Sequence, residues 1–162
     1  MTDSSEKKSK RIDLGRTPYI ETWRLQKKLV DLRYQKKIPD SILCTEHNPV
    51  ITMGRGSSRG NLLVPSAELK KRGVDLFEVE RGGDITFHGP GQAVIYPIFD
   101  LNLYGRDMHQ YLRWLERAVI GTLHDYGLKA GLKPGLTGVW VDDRKVAAIG
   151  VAVSHWITYH GL

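Results

Sequence analysis

The sequence has 162 residues, 41% of them hydrophobic, which is long enough for one domain with its own core and too short for us to expect two. Its 24 Lys and Arg against 18 Asp and Glu give a formal charge of +6, which favours acidic partners such as nucleic acid, an anionic membrane surface or an acidic protein. Part of this excess lies in residues 1–11, which we predict to be a disordered basic tail ahead of a single domain at 12–162.

The sequence lacks the patterns of several other protein classes. No run approaches the ~18 apolar residues of a membrane span, and the N-terminus has no apolar secretory segment, so we expect a cytoplasmic protein. The single cysteine, Cys44, cannot form an internal disulfide, and no Cys/His cluster has zinc-finger spacing. We therefore expect neither a disulfide framework nor a structural metal site.

The first half of the chain predicts a long helix followed by short strands. Thr17 and Pro18 supply a helix N-cap and a first helical residue, and leucines recur behind them with helical spacing, so we predict a helix at 18–35. The next predicted elements are the strands SILCTEH and VITMG, a short helix at 65–72 ended by Gly73, and the strand LFEVERG.

The second half predicts another long helix between strands. A strand is expected at AVIYPIFDL, residues 93–101. Asp107 with Gln110 resembles a capping box, and a helix follows whose apolar stripe consists of Leu112, Leu115, Val119 and Leu123. GVWV and KVAAIGVAV predict a hairpin around residues 142–143, and WITYHGL predicts a last strand. The sum is an α/β (α+β) fold with a mixed, largely antiparallel sheet and packed helices.

The segment RGGDITFHGPGQ, residues 81–92, is the strongest local signal. Gly82 and Gly83 let the backbone approach a ligand closely, and Arg81 can hold a carboxylate or phosphate through paired hydrogen bonds. Thr86 and His88, two apart on a strand, face the same side. The alternative is a glycine-rich hairpin with a surface arginine. The spacing fits neither a Walker loop nor a dinucleotide fingerprint.

As a whole, this segment resembles the signature of the lipoyl(octanoyl) transferases. HNPVITMGR at 47–55, AVIYPIFDL, TGVWVDDRKVAAIGV and HWITYHGL also resemble blocks of that family, so the resemblance covers nearly all of the chain after the tail. It implies transfer of an octanoyl group from acyl carrier protein to a lysine of lipoate-dependent enzymes. It also implies the fold shared with biotin and lipoate protein ligases.

The resemblance implies a substrate pocket with three walls. They consist of Arg81, Gly82, Gly83, Asp84, Ile85, Thr86, Phe87 and His88, then Ala148, Ile149 and Gly150, then Gly161 and Leu162. Lys145 matches the lysine that lowers the pKa of the catalytic cysteine. A cation beside an apolar strand would favour a thiolate, although without the resemblance Lys145 is typical of a solvated charge at a hairpin mouth.

The family's nucleophilic cysteine lies beyond the block ending in HGL, and the sequence ends at Leu162 before it. We therefore expect the sequence to be a fragment or truncated product, or a form that has lost acyl transfer. Cys44 does not replace that nucleophile, because a lone cysteine in an apolar strand is usually a buried small hydrophobe.

The resemblance also implies the partners of the reaction. The donor is acyl carrier protein, whose acidity suits the basic surface, and the acceptors are lipoyl domains of 2-oxoacid dehydrogenases and the glycine cleavage H protein. We expect no metal or nucleotide cofactor, no nucleic acid and no membrane. Two alternatives remain, namely an ATP-dependent lipoate or biotin ligase and a non-catalytic protein that binds acyl groups or acyl carrier protein.

Overall fold

The computed structural model describes residues 9–162, which form eleven strands and three α-helices. The first half contains β1 (Lys10–Thr17), α1 (Tyr19–Tyr34), β2 (Ser41–His47), β3 (Val50–Met53), α2 (Ser66–Lys71), β4 (Asp75–Glu78) and β5 (Ile85–His88). The second half contains β6 (Val94–Ile98), α3 (Met108–Asp125), β7 (Ala130–Gly131), β8 (Val139–Val141), β9 (Arg144–Ala147), β10 (Gly150–Ser154) and β11 (Ile157–Gly161). The predicted mixture of helices with mainly antiparallel strands is confirmed.

Strand β1 is an element that the sequence did not predict. It begins at Lys10, so Lys10 and Arg11, which were assigned to the tail, lie in a strand, while residues 1–8 fall outside the described residues. The strand was missed because charged residues interrupt its apolar alternation. Only two of its apolar side chains, Ile12 and Leu14, pack against the core. It pairs in parallel with β2, with Ile12 opposite Leu43.

The predicted single strand KVAAIGVAV is also wrong, because it is divided between two strands. β9 pairs with β8 in the predicted hairpin, whereas β10 leaves that sheet and pairs with β11. Ala148 and Ile149 lie between the two strands. The break turns the chain from one sheet into another, and sequence alternation alone carries no sign of such a change.

One layer of the fold is built from β1, β2, β6, β10 and β11. β2 and β6 are antiparallel, and β11 continues the layer because Ile95 and Leu162 exchange backbone hydrogen bonds of 2.7 and 3.0 Å. Helix α1 packs on this layer around a core that includes Leu29, Leu43 and Ile98. This layer contains the larger of the two buried apolar clusters among the described residues.

The other strands and α3 complete the fold. β3 lies between β4, which runs parallel to it, and β5, which runs antiparallel. β7, β8 and β9 form a small antiparallel sheet beside α3. A second apolar cluster includes Leu115 of α3 together with Ile149 and Val151. None of the helices in residues 9–162 combines the length and the apolar character needed to cross a membrane.

Candidate functional site

A cavity of about 790 Å³ opens between the segment 81–88, the segment 145–151 and the end of β11. Every site residue that the resemblance suggested lies on its wall, including Lys145 and both Gly161 and Leu162. Segments far apart in sequence are therefore brought together around one space. That these residues bind an acyl group stays a prediction.

The glycines at this site allow protein backbones to approach one another. Gly82 N donates to the Val151 carbonyl at 3.0 Å, and a Cβ added to Gly150 would lie only 2.8 Å from the Gly82 oxygen. A Cβ at Gly161 would clash with the Ile95 oxygen. Part of the reason for the glycine-rich sequence is thus the close contact of two walls of the cavity.

Arg81 is buried, with 7% of its surface exposed, and its guanidinium is directed at the protein itself. Nη2 donates to the Thr52 carbonyl at 2.8 Å and to the Thr52 hydroxyl at 2.9 Å, and Nη1 donates to the Gly82 carbonyl at 3.0 Å. Burial lowers the pKa of this guanidinium from its ordinary value. In this structure Arg81 ties the Gly82 segment to β3, in place of the paired hydrogen bonds to a ligand that its residue type suggested.

His88, at the end of β5, lies on the cavity wall as a neutral donor and acceptor. Its Nδ1 donates to the Gln92 side-chain oxygen at 2.7 Å, which leaves Nε2 as the unprotonated nitrogen. Burial lowers the pKa of His88 to about 4, against the smaller opposing effect of the Gln92 hydrogen bond. At neutral pH this wall therefore carries no imidazolium charge.

A cluster of aromatic and histidine side chains closes the inner end of the cavity. Tyr96 donates to His47 Nε2 at 2.8 Å, because His47 Nδ1 already faces the Thr17 carbonyl at 3.1 Å. His160 is 1% exposed, and its Nδ1 lies 3.5 Å from the Tyr19 hydroxyl. Burial lowers the pKa of His160 to about 4. Tyr19 and Tyr96 carry no signal in the sequence, because only the fold brings α1 and β6 to this cavity.

Lys145 lies at the mouth of the cavity, on the exposed strand β9. Its Nζ donates to the Thr137 carbonyl at 3.4 Å and lies 4.9 Å from the centroid of the Trp140 ring. Residues 135–137 also line the mouth, although nothing in their sequence indicates a site. A cation there can stabilise negative charge that develops on a group bound at the opening.

Cys44 is half-buried in β2 and does not line the cavity. The cavity wall formed by residues 9–162 contains no cysteine. In the same range no three His, Cys, Asp or Glu side chains are grouped closely enough to hold a metal ion.

Comparison with known sequences gives matches along most of the chain. Residues 18–162 match the family model described as the lipoyl protein ligase A/B catalytic domain. An octanoyltransferase from Clostridium kluyveri is 48% identical over 143 residues, covering 88% of this chain and 61% of that protein. An octanoyltransferase from Thermoanaerobacter sp. is 49% identical over 158 residues, covering 96% and 68%. This chain thus spans 61–68% of the length of these relatives.

Comparison with solved structures supports the architecture. A lipoate-protein ligase A bound with ATP superposes with a TM-score of 0.72 at 18% identity, covering 95% of this chain and 64% of that chain. At this identity the likeness concerns the fold alone. The predicted fold shared with lipoate protein ligases is confirmed.

Proposed function

The chain belongs to the family of lipoyl protein ligase A/B catalytic domains, and from this premise we propose that its cavity binds an octanoyl group during octanoyl transfer to a protein lysine. The observation that carries the proposal is a cavity of about 790 Å³ whose mouth holds Lys145 and whose walls coincide with the residues that resemble the octanoyltransferases. This volume lies within the range of small-molecule sites, about 300–1,000 Å³.

The character of the walls suits an unbranched acyl chain. Met108, Leu112 and Val151 supply apolar surface, while Ala148 and Gly150 leave room beside it. His88 and His160 on the wall are neutral, with pKa values of about 4, and Arg81 donates its hydrogen bonds to Thr52 and Gly82. An apolar chain can pack against these three groups without removing a charge from water.

Lys145 supplies the chemical function at the mouth. The resemblance places the family's cysteine after Leu162. Gly161 and Leu162 line the same cavity as Lys145. The ammonium would favour the thiolate of that cysteine, which attacks the octanoyl thioester carbonyl. The carrier thiol leaves as the acyl-enzyme forms, takes up a proton, and the amine of a lipoyl-domain lysine then displaces the cysteine thiol.

The proposed partners follow from charge and from the reaction. Acyl carrier protein is acidic and would be attracted to a chain whose formal net charge is +6. The proposed acceptors are the lipoyl domains of 2-oxoacid dehydrogenases and the glycine cleavage H protein, in the cytoplasm. The reaction as proposed uses no metal and no nucleotide.

The first test is binding measured by calorimetry without ATP. We expect octanoyl-carrier protein to bind at least about tenfold more tightly than carrier protein without an acyl group, since each buried CH₂ contributes ~0.8 kcal/mol. Ala148→Trp, on the cavity wall, should abolish this preference. Leu132→Trp is the matched control, because Leu132 is exposed and lies off the cavity.

Three results would contradict the proposal. Equal affinity for acylated and unacylated carrier protein would show that the cavity does not bind the acyl group. Formation of an octanoyl adenylate from ATP and free octanoate would support the ligase alternative. Peptide mass spectrometry after incubation with octanoyl-carrier protein should show no covalent adduct on Cys44, because Cys44 does not line the cavity. An octanoyl group on Cys44 would show that the nucleophile lies in β2, and the proposed position after Leu162 would be wrong.

A further inference from the structure

Glu116, in the middle of α3, is a carboxylate with 0% of its surface exposed. One oxygen, Oε2, accepts from the half-exposed Arg113 one turn earlier. The other, Oε1, accepts from the backbone N–H of Gly138 at 3.1 Å. Since a buried carboxylate is costly unless it is paired, its placement ties α3 to the segment around Gly138.

Gly138 in turn lies directly against Lys145. Its φ of +134° is a conformation open to glycine, and a Cβ there would lie 2.7 Å from the Ala147 oxygen and 3.3 Å from Lys145 Cε. The preceding carbonyl, that of Thr137, accepts from Lys145 Nζ at 3.4 Å. The position of the Gly138 amide therefore fixes the carbonyl and the backbone surface against which the Lys145 side chain lies.

We propose that Glu116 is a positioning residue that holds Lys145 at the cavity mouth through the Gly138 amide and the Thr137 carbonyl. Glu116 does not line the cavity, so it acts through these two groups and not on a bound molecule. The importance of Lys145 rests on the proposed function, but its placement by Glu116 is a property of the protein alone. The placement of Lys145 depends on Glu116 Oε1 being close enough to accept from the Gly138 amide, and not on the charge of the carboxylate.

Two substitutions separate reach from charge. Glu116→Gln keeps the length and an oxygen acceptor for the Gly138 amide, and the half-exposed Arg113 can turn to water. Glu116→Asp keeps the charge but shortens the side chain by about 1.5 Å, which removes the contact with Gly138. Leu29→Ala, in the other apolar cluster, is the control for a general loss of stability.

The measurement is the rate at which Lys145 Nζ is acetylated by a limiting amine-reactive reagent, determined by peptide mass spectrometry relative to the exposed Lys28. Glu116→Asp should change this ratio about threefold or more, upward, because the ammonium loses a fixed hydrogen-bond acceptor. Glu116→Gln and Leu29→Ala should stay within about twofold of the unmodified protein.

The opposite pattern, with Glu116→Gln altered and Glu116→Asp unchanged, would overturn the proposal in favour of a charge effect. Unchanged labelling in both would show that Lys145 is held without Glu116. If Glu116→Asp fails to fold, Glu116→Met removes the acceptor oxygen at nearly the same side-chain length and should raise the ratio in the same way. Labelling needs no carrier protein and no octanoyl group, so a failure of the proposed function and a failure of this inference are distinguished.

Discussion

The two long helices support the two sides of the cavity in different ways. Helix α1, of 16 residues, buries Tyr19, Thr22, Gln26, Leu29, Val30 and Arg33, whereas α3, of 18 residues, buries Tyr111, Leu115 and Glu116. Several large apolar side chains remain exposed on and after α3, among them Trp114, Leu128, Leu132 and Leu136. The α1 side thus contains most of the buried side chains. The α3 side, which carries the segment that contacts Lys145, has the smaller buried apolar cluster.

The largest expected effect tests the α1 side through its buried ion pairs. Arg33 Nε lies 2.7 Å from Asp40 Oδ1, and Arg33 Nη1 lies 3.4 Å from Asp100 Oδ2, with all three side chains about nine-tenths buried. Arg33→Ala leaves two buried carboxylates without their cation and should lower the free energy of unfolding by about 3–5 kcal/mol. Urea denaturation measures this loss.

The exposed Arg24 on the same helix gives the matched control. Arg24→Ala should change the free energy of unfolding by no more than about 0.5 kcal/mol. A loss of less than about 1 kcal/mol in Arg33→Ala would mean that the carboxylates are relieved by water or by protonation, and the α1 side would then be less tightly closed than its burial indicates.

The second effect compares two leucines directly. Leu43 of β2 is 0% exposed in the α1-side core, and Leu132 beside α3 is 45% exposed. Leu43→Ala should lower the free energy of unfolding by about 2–5 kcal/mol, through lost burial and a residual cavity. Leu132→Ala should change it by about 0.5 kcal/mol or less. Similar urea midpoints for the two variants would break the comparison between the two sides.

The same contrast explains how far sequence patterns predict the fold. In α1 the leucine spacing predicted the helix but not its buried face, because Leu25 and Leu32 are only partly buried. Gln26 and Arg33 are buried instead because the segments opposite them present polar groups, namely the His160 amide of β11 and Asp40 just before β2. Helical periodicity counts apolar residues and cannot anticipate polar partners supplied by distant segments.

The candidate site divides in a similar way. Some parts of the cavity wall are continuous in sequence, such as the lining residues within RGGDITFHGPGQ, and the sequence predicted these parts. Tyr19, Tyr96 and Thr137 were missed, because each is an ordinary residue locally and reaches the cavity only through tertiary packing. Glu116 resembles any helical glutamate until its buried contact with Gly138 is seen.

The third effect is a pH dependence from the inner end of the cavity. The pKa of buried His160 falls from 6.5 to about 4 in the folded protein, chiefly through desolvation. The ionisable groups around it are Glu80, Arg81, Lys27, Tyr19, Tyr96 and Tyr159. Because the unfolded chain binds the proton more readily, stability present above pH 6.5 is lost as the pH falls towards 4. The loss from this residue is up to about 3 kcal/mol.

The matched variant is His160→Asn, since asparagine tolerates the positive φ of 55° at this position and does not titrate. Urea midpoints between pH 7 and 4.5 should fall less steeply in this variant than in the unmodified protein. His88 contributes a fall of the same sign in both proteins, because its pKa is also about 4. Parallel profiles would show that His160 is hydrated or already charged at neutral pH.

The smallest effect concerns how each helix begins. Helix α1 starts after Pro18 with no side-chain cap, whereas Asp107 caps α3 by accepting from the Gln110 amide at 2.9 Å. If α3 is supported by few buried contacts, its cap should matter, and Asp107→Ala should lower the free energy of unfolding by about 1 kcal/mol. Asp107→Asn keeps an acceptor oxygen and should cost only a few tenths of that, as measured by urea denaturation. A loss in Asp107→Ala as large as that in Leu43→Ala would mean that α3 contributes as much to global stability as the α1 core, and the asymmetry between the two sides would be wrong.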